Sequence, residues 1–377
     1  MRFPPAAAID ATFDSVVADE SAELTGPRVL KPHRRILELD GLRALAAISL
    51  MLFHLTHVYA AKYGFTTELP WVYNYGAYGT EMFFILSGFV NSMSLLRRRR
   101  PVDFVVARLI RIVPIFLLVV LANVAIVRLA PMNHSVAPEE LIANLTLLPR
   151  IAGYECLDPV MWTLQVEMLF YATLLGLYLI GGLRRYFIGW GALLMLSVTV
   201  CPALDAWQTV HGETVWFGIA TGIRRLMLLD FVPLFAIGFG LYMIKTKTGN
   251  RLTNLAGISV AATVFHLIDH GKHNPAATAL IIAGVALAAY GKCPPLRIRP
   301  LIHISKISYA LYLLHNNLGC ALIHHLDHGG IPPVIAVSAA IAMAWALAVL
   351  VTTHIEAPLT KWLRTRWETH RRSAQTA

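Results

Sequence analysis

The sequence predicts an all-α membrane protein with about ten transmembrane helices and both termini in the cytoplasm. Of its 377 residues, 56% are hydrophobic and 14% are charged, whereas a soluble chain carries nearer ~25% charged residues. Its mean hydropathy is +0.59. The apolar residues form separate runs, and clusters of Lys and Arg follow every other run, which is typical of a polytopic membrane protein.

A window of ~20 apolar residues, the length that crosses a bilayer as a helix, gives the predicted spans. They cover residues 42–59, 79–96, 109–129, 162–180, 187–204, 228–244, 252–268, 276–290, 303–323 and 333–354. The seventh and eighth spans are short, so a tilted or broken segment there would change the count. The sequence contains no visible inverted repeat of the kind common in transporters.

Basic residues predict the sidedness of these spans. Alternate connections hold clusters of Lys and Arg that end at residues 35, 100, 185, 251, 299 and 372. The positive-inside rule therefore predicts a disordered cytoplasmic tail over 1–35, a transmembrane domain over 36–360 and a basic cytoplasmic tail over 361–377. Arg224 and Arg225 are the exception, because they lie on the predicted outer side. Since these clusters account for the net charge of +10, the sequence does not indicate a nucleic-acid-binding protein.

The cysteines show no metal-binding or redox motif. Cys156, Cys201, Cys293 and Cys320 lack CxxC spacing, and no metal site is predicted. Cys156 and Cys201 fall on the same predicted outer side, where a disulfide and two free thiols both fit the sequence.

The first predicted span carries two polar residues on one face, Arg43 and His54. Eleven steps of ~100° bring a helix back to within ~20° of its starting direction, with a rise of ~16 Å. A cation near the cytoplasmic surface is thus aligned with a titratable ring near mid-membrane, and an ionisable residue at that depth indicates a functional site. The alternative is an interfacial arginine and a histidine bonded to a neighbouring helix.

Glu81 lies at the outer end of the second span, within reach of His54 if the two antiparallel helices pack together. A carboxylate that bonds an imidazole fixes its tautomer and raises its basicity, as a general base requires.

Arg108 and Arg111 share one face at the cytoplasmic start of the third span. Their spacing fits a binding site for phosphates or a carboxylate, and it fits positive-inside anchors equally well.

A polar path is predicted through the later spans. Glu167 lies one to two turns inside the fourth span, where a carboxylate is costly unless a histidine or arginine of another helix pairs with it. Ser308, Tyr312 and His315 recur at i, i+4 and i+7 of the ninth span, with His315 at the predicted depth of His54. The residues assigned to this path are Glu167, Ser308, Tyr309, Tyr312, His315 and Glu356.

Six motifs in order carry a resemblance to a known family. They are DGLRALAAISLMLFH (40–54), GTEMFFILSGF (79–89), RLIRIVP (108–114), WTLQVEMLFY (162–171), ISYALYLLH (307–315) and IEAP (355–358). Together they resemble the acyltransferase 3 family of bacterial integral-membrane acyltransferases, over nearly the whole chain. The resemblance implies a ten-helix fold in the bacterial cytoplasmic membrane. It also implies transfer of an acyl group, usually acetyl, from cytoplasmic acyl-CoA to a hydroxyl of a cell-surface carbohydrate or glycolipid.

The resemblance further implies residue roles. Arg43 and His54 match the family's arginine and histidine separated by ten residues, in which the histidine is essential for transfer. Arg108 and Arg111 match its RxxR motif, which is linked to donor binding, and Glu81 stands where the family has an acidic residue before Phe-Phe. Acyl-CoA is the expected donor substrate, without a tightly bound cofactor. Residues 355–377 are too few for the extra hydrolase-like domain of some members, so the need for a partner protein is open.

Residues and resemblance together predict that Arg43, Arg108 and Arg111 hold the donor phosphates. His54 then acts as general base or acyl carrier, oriented by Glu81. The alternative from another class is a transporter or flippase of an anionic lipid-linked sugar, which would use the same charges as a relay and favour inverted repeats. A structural or regulatory scaffold is disfavoured by the cost of so many intramembrane charges.

Overall fold

The computed structural model describes residues 36–376 apart from 98, 99, 181 and 213, and it describes their side chains except for 182–188 and 374–376. The predicted tail 1–35 lies outside this part of the chain. Helix is the only regular secondary structure in the described residues, which confirms the predicted all-α class. In chain order the helices are α1 (Leu37–Lys62, with a π-helical turn at His54–Val58), α2 (Ala77–Leu96), α3 (Pro101–Ile126), α4 (Pro138–Leu145), α5 (Trp162–Leu179), α6 (Gly182–His211), α7 (Val215–Leu226), α8 (Val232–Thr246), α9 (Arg251–Ile268), α10 (Pro275–Ala289), α11 (Arg299–Leu314), α12 (Asn316–His328), α13 (Pro333–Val351) and α14 (Ala357–Thr376).

Six helical segments of the described chain are long and apolar enough to cross a membrane. They are Leu37–Lys62, Pro101–Ile126, Pro159–Leu179, Gly189–His211, Arg251–Ile268 and Pro333–Ser373. Two shorter apolar helices, α8 and α10, coincide with the predicted sixth and eighth spans. The protein is therefore helical and rich in membrane-spanning segments, while ten spans and cytoplasmic termini stay predictions.

Local sequence explains where several helices begin. Asn250 and Asn274 each accept a hydrogen bond from the backbone N–H two residues later, at 2.8 Å, and so cap α9 and α10. Thr214 caps α7 through Phe217 N at 3.1 Å. Pro101 is at the start of α3, where a backbone N–H would have no acceptor within the helix. The missing N–H of proline therefore costs no helical hydrogen bond.

The centre of the bundle is built on close helix contacts. α1 packs against both α2 and α11. α2 and α8 meet backbone to backbone, because a Cβ atom at Gly238 would overlap the carbonyl oxygen of Ile85, and one at Gly88 that of Phe235. Small residues at such a crossing allow tight packing between membrane helices. This packing fixes which face of α2 lies against α8.

The ninth predicted span is helical but is interrupted at His315, the single residue between α11 and α12, which keeps helical backbone angles. Asp158, from the connection before α5, accepts hydrogen bonds from Asn316 Nδ2 at 2.8 Å and from Asn317 N at 3.2 Å. A side chain that takes a backbone N–H from the helical ladder is a recognised cause of such a break.

The tenth span continues beyond its predicted end. A π-helical turn, Thr352–Glu356, joins α13 to α14, so helix extends through most of the predicted basic tail 361–377. Asp103 at the start of α3 accepts hydrogen bonds from Trp367 Nε1 and Arg371 Nη1, each at 3.2 Å. The tail is thus held against α3.

Candidate functional site: two cavities back to back

Three arginines face one small cavity among α1, α2, α3, α5 and α11. Arg43 comes from α1, and Arg108 and Arg111 come from successive turns of α3. The cavity measures about 90 Å³, and Glu167 is the one carboxylate in its described lining. We call it the arginine cavity. Three guanidinium groups against one carboxylate make it a site for an anion.

Neighbouring side chains orient these charges. The guanidinium of Arg108 lies 5.3 Å from the ring centre of Phe104 and 5.5 Å from that of Tyr171. Glu167 Oε1 accepts hydrogen bonds from the hydroxyls of Tyr171 and Ser87. These hydroxyls supply hydrogen bonds to a carboxylate for which the sequence predicted a histidine or arginine partner.

Asp40 and Arg43 lie one turn apart on α1, with Arg43 Nη1 3.9 Å from Asp40 Oδ1. This long contact leaves the guanidinium of Arg43 oriented into the cavity that it lines with Arg108 and Arg111. The structure therefore brings together the three arginines that the sequence proposed as one group.

The polar residues of α11 line the same cavity, namely Ser308, Tyr309 and Tyr312. Ser308 Oγ donates to Ser305 O at 2.9 Å, and Tyr309 OH donates to Ile112 O at 2.8 Å. Because both hydroxyls donate to backbone carbonyls, the two side chains are held in place as part of the cavity wall.

His54 lines a second and larger cavity of about 760 Å³, which we call the histidine cavity. Its lining includes Glu81, and most of its other charged residues come from α6, α7 and the connection between α9 and α10. The two cavities share five lining residues, which are Leu50, Thr80, Phe84, Thr163 and Tyr312. They therefore lie back to back, with His54 one turn beyond the shared Leu50.

Tyr312 is anchored in this shared wall. Its hydroxyl accepts a hydrogen bond from Thr163 Oγ1 at 2.8 Å and donates one to Val160 O at 2.9 Å. A tyrosine bonded on both sides is held in place between the two cavities.

A chain of hydrogen bonds fixes the tautomer of His54. His315 Nδ1 lies 2.8 Å from Tyr312 O and 3.2 Å from Leu311 O, and since carbonyl oxygens only accept, this Nδ1 carries a proton. With both rings neutral, His315 Nε2 is an acceptor, and it lies 3.0 Å from His54 Nδ1. His54 Nδ1 must therefore donate, which leaves His54 Nε2 with a free lone pair. This arrangement prepares Nε2 to accept a proton or to act as a nucleophile.

The predicted contact between Glu81 and His54 is wrong. Glu81 faces α10 instead, where its Oε2 accepts from Thr278 Oγ1 at 2.9 Å. Its Oε1 lies 3.5 Å from His273 Nε2, and His273 Nδ1 donates to Asp269 Oδ1 at 2.7 Å. Both Glu81 and His54 still line the histidine cavity, but the ring partner of His54 is His315.

Two predicted path residues, His315 and Glu356, line neither cavity. His315 still contacts His54, whereas Glu356 accepts a hydrogen bond from Thr352 Oγ1 at 3.1 Å within the π-helical turn. Glu356 lies within electrostatic range of Arg111. The four cysteines are free thiols, so Cys156 and Cys201 do not form a disulfide here. Within the described residues, no three metal-ligating side chains group together.

The charged wall of the histidine cavity was not predicted from the sequence. Arg224 Nη1 donates to Asp205 Oδ1 at 2.7 Å, and its Nε donates to Asp230 Oδ1 at 2.9 Å. The predicted outer loop that holds two of these residues is largely helical, in the end of α6 and in α7. Two signals were available: the exceptional position of Arg224 and Arg225 on the predicted outer side, and the cluster of polar residues at 269–273 between two short predicted spans.

Comparison with known proteins identifies the class to which this fold and site belong. A family model described as an acyltransferase domain matches residues 36–353. The chain therefore belongs to the acyltransferase 3 family, as the motifs predicted.

Three relatives illustrate the family. The exopolysaccharide production protein ExoZ of Rhizobium meliloti is 30% identical over 253 residues, which cover 64% of this chain and 75% of ExoZ. The O-acetyltransferase OatA of Staphylococcus aureus is 24% identical over 330 residues, 78% of this chain and 52% of OatA. The acyltransferase MdmB of Streptomyces mycarofaciens is 25% identical over 314 residues, 77% of this chain and 79% of MdmB. No solved structure gives a significant match.

Proposed function

We propose that this protein transfers an acyl group, acetyl in the first instance, from cytoplasmic acyl-CoA to a hydroxyl of a surface carbohydrate or glycolipid. It would work in the cytoplasmic membrane of a bacterium, with the arginine cavity open toward the cytoplasm. The observation that carries the proposal is the pair of cavities separated by one shared wall, with a histidine of fixed tautomer beside that wall.

The donor would occupy the arginine cavity. Arg43, Arg108 and Arg111 present three cations to the phosphates of acyl-CoA. A cavity of about 90 Å³ is too small for the nucleotide, which would stay outside it. The thioester would then reach the wall formed by Thr163 and Tyr312.

The acceptor would enter the histidine cavity and place its hydroxyl against His54 Nε2. In this mechanism Nε2 takes the hydroxyl proton while the oxygen attacks the thioester carbonyl. The carbon–sulfur bond breaks, and the proton passes from Nε2 to the departing CoA sulfur, so the reaction is balanced without another reactant. Attack by Nε2 itself, through an acyl-histidine, requires the same bare nitrogen.

Release of free thiol from acetyl-CoA tests this proposal. The purified protein, reconstituted in lipid with a surface-glycan extract, should release CoA thiol in step with acyl transfer. His54→Ala should lower the rate by roughly 10²- to 10⁴-fold, the usual contribution of a general base. His57→Ala is the matched control, since His57 is on the same helix, stacks on Phe53 and lines neither cavity. A loss of less than tenfold in His54→Ala would contradict the mechanism, and sugar movement without thiol release would favour a transporter.

A further inference from the structure

The two cavities differ in charge. The lining of the histidine cavity has four carboxyl groups, from Glu81, Asp205, Asp230 and Asp269, two permanent cations, from Arg224 and Lys272, and three histidines, His54, His270 and His273. With the histidines neutral, the carboxyl groups are in surplus. The arginine cavity has three guanidinium groups and one carboxylate. An anion that the arginine cavity attracts would therefore meet like charges in the histidine cavity.

The arginine of the histidine cavity is not available to an incoming anion. Arg224 donates from Nε to Asp230, from Nη1 to Asp205, and from Nη2 to Asp230 again. The pair of aspartates thus occupies all three nitrogens, and the guanidinium holds both carboxylates in place. Asp205 Oδ2 also accepts from His270 Nε2 at 2.9 Å. Each carboxylate oxygen has two lone pairs, so both aspartates can still accept a further donor.

A buried oxygen in this cavity lacks a donor. Glu81 is 2% exposed, and its Oε1 has no hydrogen-bond partner among the described residues. The 3.5 Å approach of His273 Nε2 is an ion-pair distance without hydrogen-bond geometry. A buried carboxylate oxygen without a donor is costly, and a ligand hydroxyl would satisfy it.

We infer that the histidine cavity binds an uncharged, hydroxyl-rich ring, such as a neutral sugar unit, and disfavours a uronate or phosphate at the reacting position. This inference rests on the proposed function, because it assigns the acceptor to that cavity. Hydroxyl donors of the ring would bond Glu81 Oε1 and the two aspartates, and the aromatic rings of Trp162 and Phe231 would cover its apolar face. The volume of about 760 Å³ lies within the range of small-molecule sites.

A binding experiment tests the inference without relying on catalysis. Saturation-transfer NMR on the purified protein, with no donor present, compares methyl hexosides with the corresponding methyl uronides, which differ by one carboxylate. We expect each neutral sugar that binds to do so at least about tenfold more tightly than its uronide, because like charges oppose the uronide. Equally tight binding of the uronides would overturn the inference. So would a failure of every neutral sugar to bind.

Two variants make the test specific. Asp205→Asn keeps an acceptor for Arg224 and removes one negative charge, so the preference for the neutral sugar should shrink several-fold. Glu81→Gln should weaken binding of the neutral sugar about fivefold, since an amide replaces the carboxylate that accepts a hydrogen bond from the sugar hydroxyl. Glu139→Gln removes an exposed charge outside the cavity and is the control. An unchanged preference in Asp205→Asn would contradict the charge argument.

Thiol release then separates the two proposals. If acetyl-CoA is consumed with neutral and anionic acceptors alike, the acyl transfer proposal stands and the acceptor inference fails. If neutral sugars bind selectively but no acceptor releases thiol, the acceptor inference stands and the acyl transfer proposal fails.

Discussion

The arginine cavity and the histidine cavity share α1, α2, α5 and α11 but differ in size and charge. α1 supplies Arg43 to one and His54 to the other, and α11 supplies Tyr312 to both. The first is small and cationic, whereas the second is about 760 Å³ with a surplus of carboxyl groups. This difference teaches that one helix can present a binding group and a reacting group to separate compartments, provided that a thin wall lies between them.

The sharpest way to break this comparison is to remove the partner that orients His54. His315→Leu removes the acceptor for His54 Nδ1, so the ring loses both its tautomer and its orientation. We expect kcat for acyl transfer to fall on the order of 10²-fold, as small misplacements of reacting groups do. The KM for acyl-CoA should not change, because the arginine cavity is untouched.

His315→Gln distinguishes positioning from a structural role. Its amide can donate to Tyr312 O and accept from His54 Nδ1, so it should recover most of the lost rate. ¹⁵N chemical shifts of His54 should report a protonated Nδ1 in the wild type and in His315→Gln, and a mixture in His315→Leu. His303→Leu, which replaces an exposed histidine of α11, is the control. Equal losses in Gln and Leu variants would refute the hydrogen-bond chain.

A smaller effect is expected in the arginine cavity. Arg111→Ala should raise the KM for acyl-CoA about tenfold, since a hydrogen bond to a charged group contributes ~1.5 kcal/mol or more. Titration of acetyl-CoA against thiol release measures this change, with the acceptor KM as internal reference. Arg299→Ala, an exposed arginine outside both cavities, should behave as the wild type. If the KM for the acceptor changed and the KM for acyl-CoA did not, the assignment of donor and acceptor to the two cavities would be reversed.

The sequence predicts the residues of the site better than their contacts. Helical periodicity places Arg43 and His54 on one face of α1, and both do line cavities. His54 and His315 were predicted to lie at the same depth, and they are hydrogen bonded. Glu81 was paired with the wrong residue, because the rotation of α2 depends on its glycine contacts with α8, which periodicity does not reveal.

The interruption of the helix at His315 could not be predicted from the sequence either, because it also depends on a long-range contact. Its cause is Asp158, which lies more than 150 positions earlier in the chain and reaches α12 only through the tertiary fold. The π-helical turn that starts at His54 also departs from the 3.6-residue period on which the prediction rests. Local patterns predict helices and faces, while these irregular points come from long-range contacts.

The smallest effect on transfer is expected from Asp158, which supports the wall without lining either cavity. It lies just before the apolar segment Pro159–Leu179 and is 1% exposed. Burial raises the pKa of Asp158 to about 6, although hydrogen bonds from Asn316, Val160 and Asn317 oppose this rise. An aspartate in an unfolded chain has a pKa near ~3.9.

Because the pKa is higher in the folded protein, the folded state binds this proton more tightly than the unfolded state does. Its contribution to stability is fully present below pH ~4 and is lost as the pH rises through about 6, to a total of about 3 kcal/mol. Asp158→Asn cannot titrate, so thermal unfolding of wild type and variant between pH 4.5 and 7.5 should show the wild type losing stability relative to the variant as pH rises. The rate of acyl transfer at neutral pH should fall only on the order of threefold, since the main change is the loss of the hydrogen bond from Asn317 N. If the wild type instead gains stability relative to the variant as the pH rises, Asp158 is held as a charged carboxylate. The hydrogen bonds from Asn316 and Asn317, next to His315, would then go to an ionised group.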